Sequence, residues 1–360
     1  LNKKRQKHIY INDMINNTLT ALDGVRVGHS THLDRLTGCT VIIFDKPMPV
    51  AYKAYGGAVG AFNTESLRTD KTDYHERGLF VAGGSMQGLM CASEIMKCMI
   101  DDSQGQKIGE SVINPSISGA IVWDKGMDIA PFDPIYGKEA YENLSKKPVE
   151  NGNFGAGTGT TVGDFRWLEG GTKIGSMKAG IGSARVDLGN GIIVCALSVV
   201  NALGNVILPN GDILAGNRDE YNKFKEYSDL QDFVTNNGEN KSNTTISIVG
   251  INVDLGTRQH YEKLAHIASH GQVRAIKPVH TSSDGDTVFV FSNRQIKDPL
   301  NNYAQYFQET EDQNYFKVDI IGNAAADAVQ ESIYDACRSA QTIKLHNAYR
   351  GLIPSSADYF

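Results

Sequence analysis

A layered α/β or α+β domain, with sheets covered by helices, is what this sequence predicts, and three observations predict it. Short apolar runs recur between glycines: "CTVIIFD" at 39–45, "GLFVAGG" at 78–84 and "SGAIVWD" at 118–124. Each has the length of a buried strand and is bounded by turn residues. The uncharged run "GIIVCALSVVNALGNVIL" at 191–208 is broken by Gly191, Asn201, Gly204 and Asn205. That pattern fits two buried strands around a turn better than a membrane-spanning helix. Further on, strand-like stretches alternate with segments of helical periodicity, the mixture that layered domains require.

Taken in order, a helix is expected just after Gly84, with Ser85 as its N-cap and an apolar face of Leu89, Ile95, Met96 and Met99. Residues 212–243 turn polar and read as a linker ending in "NNGENKSN". A strand at 244–252 comes next, then a helix over about 256–270 that places Tyr261, Leu264, Ile267 and Ala268 on one side. The alternating "DTVFVFS" (286–292) predicts a strand, and an alanine-rich helix closes the pattern over about 322–340. No internal repeat or low-complexity array is present.

The bulk numbers exclude several classes. A chain of 360 residues forms one large domain or two ordinary ones and buries a core without disulfides or metals. A formal charge of −6 argues against a nucleic-acid groove or a basic membrane-binding face. Five cysteines without a CxxC pair point to free thiols in a reducing compartment. The basic N-terminal stretch has no apolar core, so no signal peptide is expected and a cytoplasmic location is.

Chemistry concentrates in four places. In "NGENKSNTTISIVG" (237–250) a polar run meets a strand at Asn243-Thr244. A turn running into a threonine-led strand explains this junction. So does a site of self-cleavage, in which the Thr244 hydroxyl attacks the carbonyl of Asn243 and frees an N-terminal Thr. The new α-amine, with a pKa of roughly 7.7–8.0, is a base near neutral pH beside its own hydroxyl nucleophile. The sequons at Asn240 and Asn243 would need a secretory route. In "DGDT", Asp284 and Asp286 stand two apart at a strand entrance, where they can position an amine or a base, bind a metal, or simply form a turn. In "VVNALGN", Asn201 can supply an oxyanion donor or be a satisfied turn amide. His266 and His270, four apart without an HExxH pattern, read as surface histidines more than metal ligands. The glycine-rich "GAGTGTTVG" is neither a P-loop nor a dinucleotide fingerprint.

Together, "GVRVGH" (24–29), "AYGGAVG" (54–60), "VAGGSMQGL" (81–89), "GAGTGTTVG" (155–163), "AGIGSARV" (179–186), "VVNALGNV" (199–206), "NTTISIVGINV" (243–253) and "PVHTSSDGDTVFVFS" (278–292) occur in a family's order. The chain resembles the L-aminopeptidase/D-esterase (DmpA-like) family of N-terminal nucleophile hydrolases over roughly residues 24–340. It is closest to the Asn-Thr-cleaving branch that includes the nylon-oligomer (6-aminohexanoate) endohydrolase. The resemblance implies a four-layer αββα sandwich and a precursor that cuts itself between Asn243 and Thr244. Residues 1–243 and 244–360 would then stay together as an αβ heterodimer, assembled into a homo-oligomer. It also implies Thr244 as nucleophile and α-amine base, Asp284 and Asp286 orienting amine and hydroxyl, and Asn201 on the oxyanion side. Trp123, Asp164, Gly83 and Gly84 would border a small amide or peptide substrate, and neither metal nor cofactor is needed.

The chain departs from the branch twice. Asp164 comes after "TVG" where many members carry Lys, and Arg166 or Lys173 are the candidates to compensate. Trp123 stands where the branch tends to place Tyr or Phe, so an indole N–H replaces any phenolic hydroxyl. Two rival readings stand beside this one: a processing-deficient relative that binds a small ligand without turnover, and a metal-dependent hydrolase using Asp284, Asp286 and a histidine.

Overall fold

The computed structural model describes residues 15–72, 75–165, 175–219, 221–227, 243–297, 313–345 and 351–358. Nine strands make one continuous ladder: β1 (Val25–His32), β2 (Thr37–Ala54), β3 (Ala61–Phe62), β4 (His75–Ala82), β5 (Ile117–Ile121), β6 (Ile181–Asp187), β7 (Ile193–Asn201), β8 (Thr244–Val253) and β9 (Thr287–Ile296). Their order is β6-β7-β8-β9-β2-β4-β5-β3, with β1 also paired to β2. The long β2 belongs to both halves. Its residues 50–54 pair with β9, while residues 39–43 and 48–49 pair with β4 on either side of the exposed stretch 45–47. The ladder thereby folds over into two facing sheets.

The period-2 pattern of the strands fixes the layers. Along β7, Ile193, Cys195, Leu197 and Val199 enter one core, and Val194, Ala196 and Val200 enter another. In β4, Leu79 and Val81 join the first of these cores, and Phe80 and Ala82 a third. The first core also takes Ile246 and Ile248 of β8 and Phe289 and Phe291 of β9, so it lies between the two sheets. The outer faces are covered by helices. On one side lie α1 (Cys91–Asp101) and α2 (Ile135–Glu142). On the other lie α3 (Arg258–Ala268), α4 (His270–Ala275) and α5 (Gln313–Arg338). Helix, sheet, sheet, helix is the αββα arrangement the resemblance implies.

Most sequence-derived elements are found within a few residues, and three differ. The helix after Gly84 begins as a 3-10 turn, Ser85–Met90, before α1, and Ser85 makes no side-chain cap. Its backbone is left-handed (φ 51°) and its N–H bonds to Val122. The expected helix at 256–270 is two helices, α3 and α4, with a break at Ser269. The last helix starts nine residues early, at Gln313 (322 − 313). Part of the expected linker is ordered: Ile213–Ala215 is a short strand pairing with Asn205–Ile207, which is the second strand read from 191–208. Residues 228–242 lie outside the described residues.

The sheet order ties the two ends of the chain together. Strands β8 and β9, both downstream of residue 243, sit between β7 and β2, both upstream of it. Two interstrand ladders join the chain segments on either side of Asn243-Thr244.

Candidate active site

Thr244 opens β8 and pairs with Asn201, the last residue of β7. The parallel neighbour β9 begins at Thr287, so Asp284 and Asp286 arrive at the same end of the sheet. Parallel pairing forces this, because both strands enter from one edge. Asn243 forms a bridge with Asp284. The sequence-predicted residues Asn201, Asn243, Thr244, Asp284 and Asp286 therefore meet, each no more than 3% exposed.

The bond between Asn243 and Thr244 is gripped from three sides. The Asn243 N–H donates to Ser283 O at 3.0 Å, and the Gly285 N–H donates to the Asn243 carbonyl at 2.6 Å. The Thr244 hydroxyl itself lies 2.5 Å from that carbonyl oxygen. Gly285 is required here, since a Cβ on it would stand 2.7 Å from Thr244 Oγ1 and 3.0 Å from Ala58 O. The Asn243 carbonyl oxygen thus accepts from two donors at once, the Thr244 hydroxyl and the Gly285 N–H, and the hydroxyl is held against the residue that precedes it.

Among the described residues, the acidic pair is buried without a Lys or Arg partner. Asp286 accepts from Thr245 N at 2.6 Å and His280 N at 2.9 Å. Asp284 accepts from the Thr281 N–H at 2.8 Å and the Thr281 hydroxyl at 2.7 Å, both on one carboxylate oxygen. Burial first, and the neighbouring Asp284 second, push the Asp286 carboxyl up to about 8. Burial raises Asp284 as well, against the pull of the Thr281 and Leu203 donors. Among the described residues, the basic group within 4.0 Å of the pair is His280, and burial holds its pKa down to about 4. It is neutral at physiological pH.

Sequence reasoning misses His280 and Gln272 as site residues, although "PVHTSSDGDT" contains the first. Gln272 is fully buried, and its Nε2 donates to Thr245 O (3.1 Å), Ser247 Oγ (3.1 Å) and Thr287 O (3.2 Å). Those acceptors fix the amide so that Oε1 faces His280 Nε2 at 3.0 Å. The His280 ring also stacks on Tyr55, with centroids 4.9 Å apart. Together they tie the start of β8 to the loop that carries the acids.

On the other side of Thr244, the Asn201 amide is fixed at both ends. Its Oδ1 accepts from Thr161 N at 3.1 Å, and its Nδ2 donates to Trp123 O at 2.9 Å. Thr161 comes from the glycine-rich stretch, which brings this N–H to Asn201. Trp123 is one third exposed (36%) and is linked to the site through its carbonyl.

Asp164 is not an uncompensated anion. Lys125 Nζ lies 3.1 Å from both carboxylate oxygens, and the Thr161 hydroxyl donates to Oδ2 at 2.6 Å. The side chains of Lys125 and Asp164 are 9% and 7% exposed. Burial pushes Asp164 up, but the Lys125 ammonium and the Thr161 hydroxyl outweigh it and hold the carboxyl below its usual value. Arg166 and Lys173 lie outside the described residues, and Lys125 in "WDKGMD", which the sequence reading did not single out, supplies a cation to Asp164.

Gly83 and Gly84 have contacts of their own. A side chain on Gly83 would collide with Asp124 and Thr37, and one on Gly84 (φ 76°) with the Phe132 ring. Asp124 accepts from Thr37 Oγ1 at 2.6 Å and Gly84 N at 3.3 Å, and burial raises it to about 7. Beneath it, burial lowers the fully enclosed Lys178 to about 7, while its ammonium nitrogen bonds Gly157 O at 2.9 Å. His266 and His270 fall on successive helices with rings 5.7 Å apart. Among the described residues, no three His, Cys, Asp or Glu side chains group in a way that could hold a metal ion. No helix among them is long and apolar enough to cross a membrane.

The fold recurs in solved structures. The L-aminopeptidase D-Ala-esterase/amidase from Ochrobactrum anthropi, described as a variant of the Ntn hydrolase fold, superposes with a TM-score of 0.67 at 20% identity, covering 94% of this chain and 91% of that one. A Burkholderia sp. β-aminopeptidase gives 0.64 at 18% identity over 95% and 90% of the two chains. This is the Ntn hydrolase fold. In sequence, the chain is 26% identical over 360 residues to an uncharacterized aminopeptidase of Mycobacterium tuberculosis, covering 94% of this chain and 99% of that one. It is 28% identical over 291 residues to the 6-aminohexanoate-oligomer endohydrolase of Kocuria sp., covering 77% and 75%. The model of peptidase family S58 matches residues 17–350, and the chain belongs to that family of peptide- and amide-bond hydrolases.

Proposed function

We propose that this chain cuts its own Asn243–Thr244 bond and then hydrolyses small amides or peptides with a free amino end through an acyl-Thr244 ester. The observation that carries the reading is the Thr244 hydroxyl 2.5 Å from the Asn243 carbonyl oxygen, with the Gly285 N–H already bonded to that oxygen. In the first step Oγ1 bonds to the carbonyl carbon, and Gly285 N–H stabilises the oxyanion. The C–N bond then breaks, and the hydroxyl proton ends on the departing nitrogen. Water next splits the ester, leaving a carboxylate on Asn243 and restoring the Thr244 hydroxyl.

Electrostatics supports the same direction. Two carboxyls buried together, with no Lys or Arg beside them among the described residues, make an unfavourable arrangement. Cleavage creates an α-ammonium at Thr244, beside the strand entrance where both acids sit. In its ammonium form this group is the partner against which the pair ionises, and once it has given its extra proton to solvent the neutral amine, oriented by Asp284 and Asp286, serves as base to its own hydroxyl. Asn201 contributes the second oxyanion donor. The two pieces stay together because β8 and β9 are laddered to β7 and β2 on either side.

Substrate turnover repeats this chemistry on an external amide. The relatives named as a 6-aminohexanoate-oligomer endohydrolase and as an aminopeptidase both point to linear amides as the substrate class. The test is hydrolysis of a panel of aminoacyl p-nitroanilides by the wild-type chain and by Thr244→Ala. The reading requires release of nitroaniline by the first and none by the second. Turnover by the Ala variant at the wild-type rate would remove Thr244 from the mechanism.

A further inference from the structure

We infer that Asp164, paired with Lys125, is a positioning residue that sets the orientation of Asn201 through Thr161. The inference rests on the proposed role of Asn201 beside Thr244, but its evidence is separate. A buried ion pair is weak evidence for stability, because desolvation offsets most of the attraction, so its presence at this place needs another account. Here the pair ends a continuous chain of contacts. Lys125 Nζ reaches both Asp164 oxygens at 3.1 Å, and Asp164 Oδ2 accepts the Thr161 hydroxyl at 2.6 Å. The Thr161 N–H in turn holds Asn201 Oδ1 at 3.1 Å.

With Oδ1 taken by Thr161 and one Nδ2 hydrogen taken by the Trp123 carbonyl at 2.9 Å, the planar Asn201 amide has a single hydrogen left. Its direction is set by the other two bonds. Asn201 is cross-strand partner to Thr244, so this hydrogen is the one available for charge developing there. Both contacts also fix which end of the amide is oxygen. Lys125 is anchored independently, since its own N–H bonds to Gly159 O at 3.0 Å on the same glycine-rich stretch. The device thus clamps that stretch against the Asn201 side chain.

Two double variants separate positioning from charge and from stability. Lys125→Met with Asp164→Asn removes both charges but leaves an acceptor for Thr161 Oγ1. Lys125→Met with Asp164→Leu removes the acceptor too. Each is purified, its Tm measured, its self-cleavage followed by intact mass, and its kcat and KM determined on the best p-nitroanilide. The expected result is kcat within threefold of wild type for the Asn double, and at least tenfold lower for the Leu double with KM unchanged, by analogy with loss of an oxyanion donor. Thr161→Val should resemble the Leu double. Equal, wild-type-like kcat in both doubles would overturn the inference and leave the pair structural. A change confined to KM would also overturn it, placing Asp164 against substrate. A wild-type chain that neither splits nor turns over substrate would instead sink the proposed function. In that case a crystal structure of the Leu double still decides: Asn201 retaining its bonds to Thr161 N and Trp123 O would refute the positioning role.

Discussion

Replacing Gly285 by Ala puts the attack geometry to a direct test. The added Cβ would lie 2.7 Å from Thr244 Oγ1, against an ordinary contact distance of at least 3.4 Å, so the atoms must part by about 0.7 Å (3.4 − 2.7). The same Cβ would also stand 3.0 Å from Ala58 O, again closer than an ordinary contact. Gly285 does not have a left-handed backbone, so alanine meets no conformational penalty of its own. The strain falls on the Thr244 side chain and on the Gly285 N–H bond to the Asn243 carbonyl. A misplacement of about 1 Å in a reacting group costs on the order of 10²-fold in rate, so a shift of this size should slow self-cleavage by about 10- to 100-fold. Loss of stability should stay within about 1–3 kcal/mol, as for other local overpacking. The assay is the fraction of intact chain against time by mass spectrometry, with Tm to confirm folding. A folded Gly285→Ala chain that splits at the wild-type rate would refute the claim that Thr244 attacks from the position described.

Other consequences are as concrete. Asn201→Ala strands the buried Thr161 N–H and Trp123 carbonyl, which should cost about 2–4 kcal/mol in denaturant unfolding and lower kcat about 10²- to 10³-fold. Gln272→Met breaks the donors to Thr245, Ser247 and Thr287 and should destabilise by about 2–4 kcal/mol, read from urea midpoints. The uncut chain should also carry a pH signature. An acid raised from 3.8 to about 8 on folding, as Asp286 is, contributes most to stability below 3.8 and loses that contribution as pH rises toward 8. In the Thr244→Ala background, adding Asp286→Asn should therefore raise Tm more at about pH 8 than at about pH 4. An equal effect at both would show that Asp286 is not held protonated.

The strands and the Thr244 strand entrance are legible in the sequence because each rests on a local pattern. The short apolar run "CTVIIFD" and the alternating "DTVFVFS" have the length and bounds of buried strands, and a Thr after a polar run marks a strand entrance that could become an N-terminus. What escapes is long-range. Lys125 is 39 residues from Asp164 and Gln272 is 27 from Thr245, and no period links either pair. His280 acts on Asp286 through its backbone N–H, which no side-chain motif can announce. Ser85 has the residue type of an N-cap, but the preceding glycine turn takes its N–H to Val122 and leaves its side chain no capping role. The αββα stacking and the roles of the acidic pair come from resemblance, since periodicity by itself gives sheets and helices without their order.

The central claim is that Thr244 becomes an N-terminus. Freshly purified protein, denatured and weighed intact, with N-terminal sequencing of the smaller species, tests it most directly. Of 39.2 kDa over 360 residues, cleavage after residue 243 should give pieces of about 26 and 13 kDa, the smaller one beginning Thr-Thr-Ile-Ser. A single 39.2 kDa chain that persists through long incubation, or a fragment with any other first residue, would contradict the account.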